Sequence, residues 1–231
     1  MGSYHQFCPV AKAMELLDER WTMLVIRELV SGSQHFNDLR RGLPRMSPTL
    51  LSKRLHQLVR AGVVERQADG GEVRYVLTPA GEELRPIVEA LGSWGIRWIG
   101  RLGDRDLDPK LLLWDIRRNI DHDAVPAGRS VVEFDFSDVP SRIRHWWLVV
   151  TPQEADVCDA DPGFPVSVSV HTTLRRMTDV WLGNLSWAQA LRSDGFEVLG
   201  PETLRRAVPR WFVLSAFAPV PRPLAPQSLA I

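Results

Sequence analysis

Ser47 is followed by Pro48, and the next turns set Thr49, Ser52, Lys53 and His56 among Leu51, Leu55 and Leu58. The leucines recur at helical spacing and would hold one edge of a helix against a core, leaving the hydroxyls, the lysine and the imidazole largely off that edge. Such side chains suit base edges in a major groove, which admits a helix and displays donors, acceptors and the thymine methyl. The same helix start carries free backbone amides that favour phosphate. Arg40, Arg41 and Arg45 come just before it, and Arg66 and Arg74 follow on a β-prone stretch, where guanidinium groups could grip a nucleic-acid backbone. Between residues 20 and 66 nine basic side chains face three acidic ones, Glu28, Asp38 and Glu65. A polyanion would sit there most readily, although each residue alone also reads as ordinary exposed polar surface.

Other chemistry finds less support. The six histidines show no metal-ligand spacing with cysteine or carboxylate. Asp159, Asp161 and Gly163 resemble the start of a calcium loop without its closing glutamate, so a turn is expected. His122 has no companion nucleophile, and neither a P-loop nor a dinucleotide fingerprint occurs. No enzyme activity, metal or cofactor is expected. Cys8 lies just before a predicted helix with Lys12 one turn on, a setting that can activate a thiol; a small buried residue is the commoner alternative.

The elements that would position the polar edge are legible. Val10, Met14 and Leu17 mark one helix; Trp21, Leu24, Val25 and Leu29 mark a second, ended by Gly32; Phe36, Leu39 and Leu43 mark a third, stopped by Pro44. Ser47 and Pro48 open the fourth, and Gly62 closes it. Residues 63–67 and 73–77 read as strands joined by a turn at Asp69, Gly70 and Gly71. Thr78 and Pro79 start a last helix bearing Leu84, Ile87, Val88, Leu91, Trp94 and Trp98. Short helices in the order of a helix-turn-helix, a hairpin wing and a long helix describe a winged helix-turn-helix. The final stripe is too apolar for one small domain to cover. It is expected to form an isologous dimer with two reading helices about 34 Å apart, matching a palindromic site; packing on the second half of the same chain is the alternative.

The run through Cys8-Pro9-Val10, Arg20-Trp21-Thr22, Phe36-Asn37-Asp38-Leu39, residues 47–58, Gly62-Val63-Val64-Glu65-Arg66 and residues 75–81 resembles the HxlR-type branch of the MarR-like regulators. The resemblance covers about residues 7–102 and implies a bacterial, homodimeric, winged-helix transcription factor binding double-stranded DNA. Some of these proteins respond to oxidants through a cysteine near the position of Cys8. Where the family has Gly-Lys before the tryptophan this chain has Glu19-Arg20, which keeps a positive charge and removes a glycine, so a different local turn is expected.

The chain has 231 residues, 45% hydrophobic and 24% charged, with 28 basic and 28 acidic side chains. That composition excludes disorder, a disulfide scaffold and a uniformly basic coat. Two cysteines fit a reducing cytosol, and no membrane span or signal peptide is expected, so a cytoplasmic location follows. Two domains are expected, 1–103 for DNA binding and dimerisation and 104–231 of another kind, with a charged linker at residues 103–109.

The second half reads as α+β, an antiparallel sheet followed by helices on one face. Residues 131–136, 145–151, 155–158, 166–170 and 196–199 are strand-like, and residues 111–118, 173–182, 186–193 and 201–208 helical. Residues 155–212 resemble the sterol-carrier-protein-like fold, through Val166-Ser167-Val168-Ser169-Val170, Gly183, the helix with Trp187 and Leu191, and residues 195–200. That resemblance implies an apolar tunnel for a lipid or other hydrophobe, or a dimerisation role. Six of nine tryptophans fall after residue 104, and Trp114, Phe134, Trp146, Trp181 and Trp187 are the candidate pocket lining, with plain core packing as the alternative. The expected function is a DNA-binding regulator responding to a hydrophobic effector. The second reading is a hydrophobe carrier whose winged module mainly dimerises.

Overall fold

The computed structural model describes residues 3–99 and 102–222, and the chain divides into two compact units, Met1–Gly95 and Ile96–Ile231. In the first unit α1 (Pro9–Leu17), α2 (Thr22–Val30), α3 (Phe36–Gly42) and α4 (Pro48–Arg60) lead into the hairpin β1 (Val64–Asp69) and β2 (Glu72–Leu77), the single turn α5 (Pro79–Glu82) and α6 (Arg85–Trp98). Three of the helix starts have a local cause. Proline occupies the first turn of α1, α4 and α5, where its missing N–H costs nothing. Ser47 Oγ accepts from Leu50 N and Thr78 Oγ1 from Gly81 N. The hairpin is antiparallel with Asp69 opposite Glu72, and Gly70 and Gly71, at φ of 56° and 91°, supply the left-handed pair that a two-residue turn needs.

The core of this unit gathers Val25, Ile26 and Leu29 of α2, Leu39 of α3, Leu51, Leu55 and Leu58 of α4, and Val63, Val64 and Val88. Glu28 is fully buried within it, beside Arg27 of the same helix. Arg27 also donates to the Gly42 carbonyl at 3.0 Å, and Ser33 Oγ to Glu28 at 3.2 Å. Gly42 has to be glycine, because a Cβ there would fall on the Glu28 carboxylate. This polar knot ties α2 to the end of α3, and its burial is tolerable because every charge has a partner.

The second unit opens with α7 (Pro109–Arg118), capped by Asp108, whose side chain accepts from Lys110 N and Leu111 N. Then come β3 (Ser130–Phe136), β4 (His145–Val150), β5 (Ala155–Cys158), β6 (Val168–Thr172), α8 (Leu174–Trp181), α9 (Trp187–Ala190), β7 (Glu197–Leu199) and α10 (Glu202–Trp211). The sheet order is β5-β4-β3-β6-β7. The expected antiparallel sheet is corrected to a mixed one, since β6 runs parallel to β3, with Val132 opposite Val168 and Phe134 opposite Val170. The connection 159–167, with Pro162, Gly163 and Pro165, carries the chain from the β5 edge past two strands, so β6 meets β3 instead of folding back on β5. Asp161 accepts from Gly163 N in that connection, a turn as expected.

The alternation of the strands gives the sheet one apolar face. Val132, Phe134, Phe136, Leu148, Val150, Val168, Val170 and Val198 pack in one core with Leu113 and Ile116 of α7, Met177 and Val180 of α8, and Val208 and Trp211 of α10. The other face carries Glu133, Asp135, His145, Ser169 and His171, none of them fully buried. The helices therefore lie on a single face.

Candidate nucleic-acid interface

The helix α4 is divided lengthwise. Leu51, Arg54, Leu55 and Leu58 are buried at spacings of three and four residues. Thr49, Lys53, His56 and Arg60 are exposed on the opposite side, and Ser52 is half-buried beside them. Ser47 is exposed and spends its hydroxyl on capping the helix, so it presents the amide end of α4. The His56 ring accepts a fixed orientation from its own helix: Nδ1 lies 2.8 Å from the Ser52 carbonyl, so the tautomer with hydrogen on Nδ1 donates there and turns Nε2 outward as an acceptor. Lys53 has the reach and the freedom of a long exposed cation next to these groups.

The flanking cations fall on separate elements. Arg40 and Arg41 are in the last turn of α3, Arg40 exposed and Arg41 half-buried, and Arg45 is exposed in the turn before α4. Arg66 on β1 is exposed and pairs across the hairpin with Tyr75, while exposed Arg74 lies opposite Gln67 and 3.6 Å from the Glu72 carboxylate. Glu72 is also 3.6 Å from His35, so the turn end of the hairpin lies against the start of α3. A further tie runs from Tyr75 N to the Gln34 carbonyl at 2.8 Å.

The basic stretch is less uniform than its count. Arg27 is committed to Glu28 and Gly42, and Arg54 is turned inward with 8% of its surface exposed. Its Nε donates to the Arg20 carbonyl at 3.1 Å, its terminal nitrogen donates to Gln57 Oε1 at 2.6 Å, and it forms an ion pair with Glu19. Reading the sequence for charge missed this inward role. The signal was present, because Arg54 shares the spacing of Leu51, Leu55 and Leu58.

Cys8 is the N-cap residue of α1 and half-exposed, and neither it nor Cys158 is in a disulfide. Lys12 is engaged with Glu15 at 2.9 Å. In the second unit Phe134, Trp146 and Trp181 lie in the core, and Trp187 packs against it, stacked on Phe212 with ring centroids 6.0 Å apart. Trp146 Nε1 donates to the Ile143 carbonyl, and Trp114 is buried with the Arg117 guanidinium 4.5 Å from its ring centre. All five aromatics are thus buried in, or packed against, the interior of the second unit. An open groove of about 610 Å³ lies elsewhere, lined by Leu191, Phe196, Val198 and Leu199, by Glu202 and Arg205, and by neighbours on α10. Among the described residues no group of histidine, cysteine and carboxylate side chains is placed to hold a metal ion, and no helix is long and apolar enough to cross a membrane.

Residues 16–102 match the HxlR-like helix-turn-helix family. The uncharacterised HTH-type transcriptional regulator YvaP of Bacillus subtilis is 36% identical over 98 residues, spanning 41% of this chain and 91% of that protein. A second uncharacterised HTH-type transcriptional regulator, from Synechocystis sp., is 35% identical over 95 residues, spanning 40% of this chain and 70% of that protein. Among solved structures, the reduced form of the transcriptional regulator YodB from B. subtilis is similar at 31% identity over 39% of this chain and 92% of that one, with a TM-score of 0.35. These relatives are transcriptional regulators and not enzymes. Through residues 16–102, with their exposed α4 edge and hairpin wing, the chain belongs to the HxlR-like helix-turn-helix transcriptional regulators.

Proposed function

We propose that the chain works as a homodimer on a palindromic operator, reading bases with α4 and answering to an apolar small molecule held by its second unit. The observation that carries the DNA reading is the lengthwise division of α4, with Thr49, Ser52, Lys53 and His56 facing outward and three leucines sealed inward. Lys53, Ser52, Thr49 and His56 are the base-contacting candidates. Arg40, Arg41, Arg45, Arg66 and Arg74, with the Ser47-capped amides, are the backbone-gripping ones, a division that follows from reach and charge.

Dimerisation is supported by Ile87, Leu91 and Trp94, which recur along α6 and are 46%, 53% and 47% exposed, and by exposed Phe7, Val10 and Met14 on and before α1. Apolar stripes of that kind call for a partner surface. The reading of the second unit as sterol-carrier-protein-like draws on its one-faced sheet under a helical layer. The groove beside β7 and α10 is the place offered to an effector. To regulate, an effector has to bind one spacing of the two reading helices better than another.

The test is enrichment of duplexes from a random-sequence pool by the full-length chain, followed by mobility-shift titration. A palindromic consensus bound specifically supports the proposal. Weak, sequence-independent binding, insensitive to Lys53→Ala, would favour a hydrophobe carrier whose winged module mainly dimerises.

A further inference from the structure

The Glu19–Arg54 pair joins α4 to the turn between α1 and α2. Arg54 belongs to α4, one residue after Lys53 and two after Ser52. Glu19 and Arg20, whose carboxylate and carbonyl it engages, form the turn between α1 and α2. Apolar contacts such as those of Leu51, Leu55 and Leu58 are non-directional and tolerate small rotations. A planar guanidinium held by the Glu19 carboxylate and the Arg20 carbonyl of that turn does not tolerate them. The receiving turn is itself held in an unusual state: Trp21 has φ of 81°, a left-handed conformation costly for a bulky residue, and Thr22 N donates to the Glu19 carbonyl at 3.0 Å.

We propose that the Glu19–Arg54 ion pair sets the rotation of α4, so that both are positioning residues for base readout although neither touches DNA. The inference rests on α4 being the reading helix. A rotation of about 10° moves the outer edge of a helix of radius about 5–6 Å by about 1 Å. That exceeds the roughly 0.5 Å within which a binding constellation has to be held. Losing the pin therefore degrades discrimination between sequences and leaves the charge that attracts any DNA in place.

The probes are the duplex enriched by the wild-type chain from a random pool and a scrambled duplex of the same length, each titrated across a salt series. Glu19→Gln is expected to fold, since the Glu19 side chain is 28% exposed and its carboxamide can be solvated. It should lower affinity for the enriched duplex about tenfold, with scrambled-duplex affinity and the salt slope unchanged. Arg54→Lys, which keeps the charge but loses the fork, should behave the same way; should it not fold, Glu19→Gln decides alone. Wild-type discrimination in a folded Glu19→Gln chain overturns the proposal. So does an equal change on both duplexes, or a salt slope in Arg54→Lys reduced by about one phosphate, which would make Arg54 a backbone contact. If the wild-type chain enriches no sequence, the reading-helix assignment fails first and this inference falls with it.

Discussion

Arg54 and Lys53 are neighbours of the same charge with opposite fates, and helical geometry decides which faces solvent. The outward set at residues 49, 52, 53 and 56 was legible because the leucine spacing fixes the other edge. The inward position of Arg54 follows from the same spacing, but its partners were not legible, since the Arg20 carbonyl lies 34 residues upstream. Glu28 is a similar case: nothing in its neighbours along the chain signals a fully buried carboxylate closed over by Gly42. On the open face of the second sheet, Arg144 hydrogen-bonded to Asp135 holds that carboxyl below the usual range against the opposing effect of burial, with smaller help from His145 and His171. A carboxylate with a depressed folded pKa stabilises above its unfolded value of about 3.9 and loses that contribution as pH falls through the folded one. Asp135→Asn should therefore unfold at lower temperature than wild type at neutral pH, with the difference closing in acid below the folded pKa. Thermal melts across that range measure it, and a gap that persists or widens in acid contradicts the assignment.

Several helices of the first unit were readable as elements because their starts are marked in the sequence. Proline and a capping hydroxyl precede α4 and α5, and glycine pairs make the hairpin turn. Ser47→Ala should cost about 1 kcal/mol of stability, as loss of an N-cap does, seen as a lower denaturation midpoint with an unchanged denaturant slope. An unchanged midpoint would mean that the Leu50 amide finds another partner. Two elements departed from expectation. The helix begun at Pro79 breaks after one turn and restarts at Arg85. There Arg85 pairs with Glu82 and donates to the Val30 carbonyl, a tertiary tie that local propensity does not encode. The strand at β6 was recognised, but its partner was not, because period-two alternation marks a strand and its buried face and says nothing of which neighbour it joins or in which direction.

At the scale of the molecule, two compact units share one chain, and the family match covers the first of them. Tryptophans fill a core as readily as they line a site, and composition alone does not separate the two. The α6 stripe bears on assembly. Leu91→Glu with Trp94→Glu should convert the proposed dimer to a monomer in sedimentation and weaken binding to a two-half-site duplex more than to a single half-site. A dimer that survives both changes would move the interface elsewhere. The central claim, that α4 reads bases through its polar edge, is tested most directly by sequencing the duplexes enriched from a random pool by wild type and by Lys53→Ala. The account expects a two-fold symmetric consensus from wild type, and from the variant the same consensus with preference relaxed at one position per half-site, a loss of about 1–3 kcal/mol there. Identical preferences from both chains at every position, or no consensus from either, would contradict it.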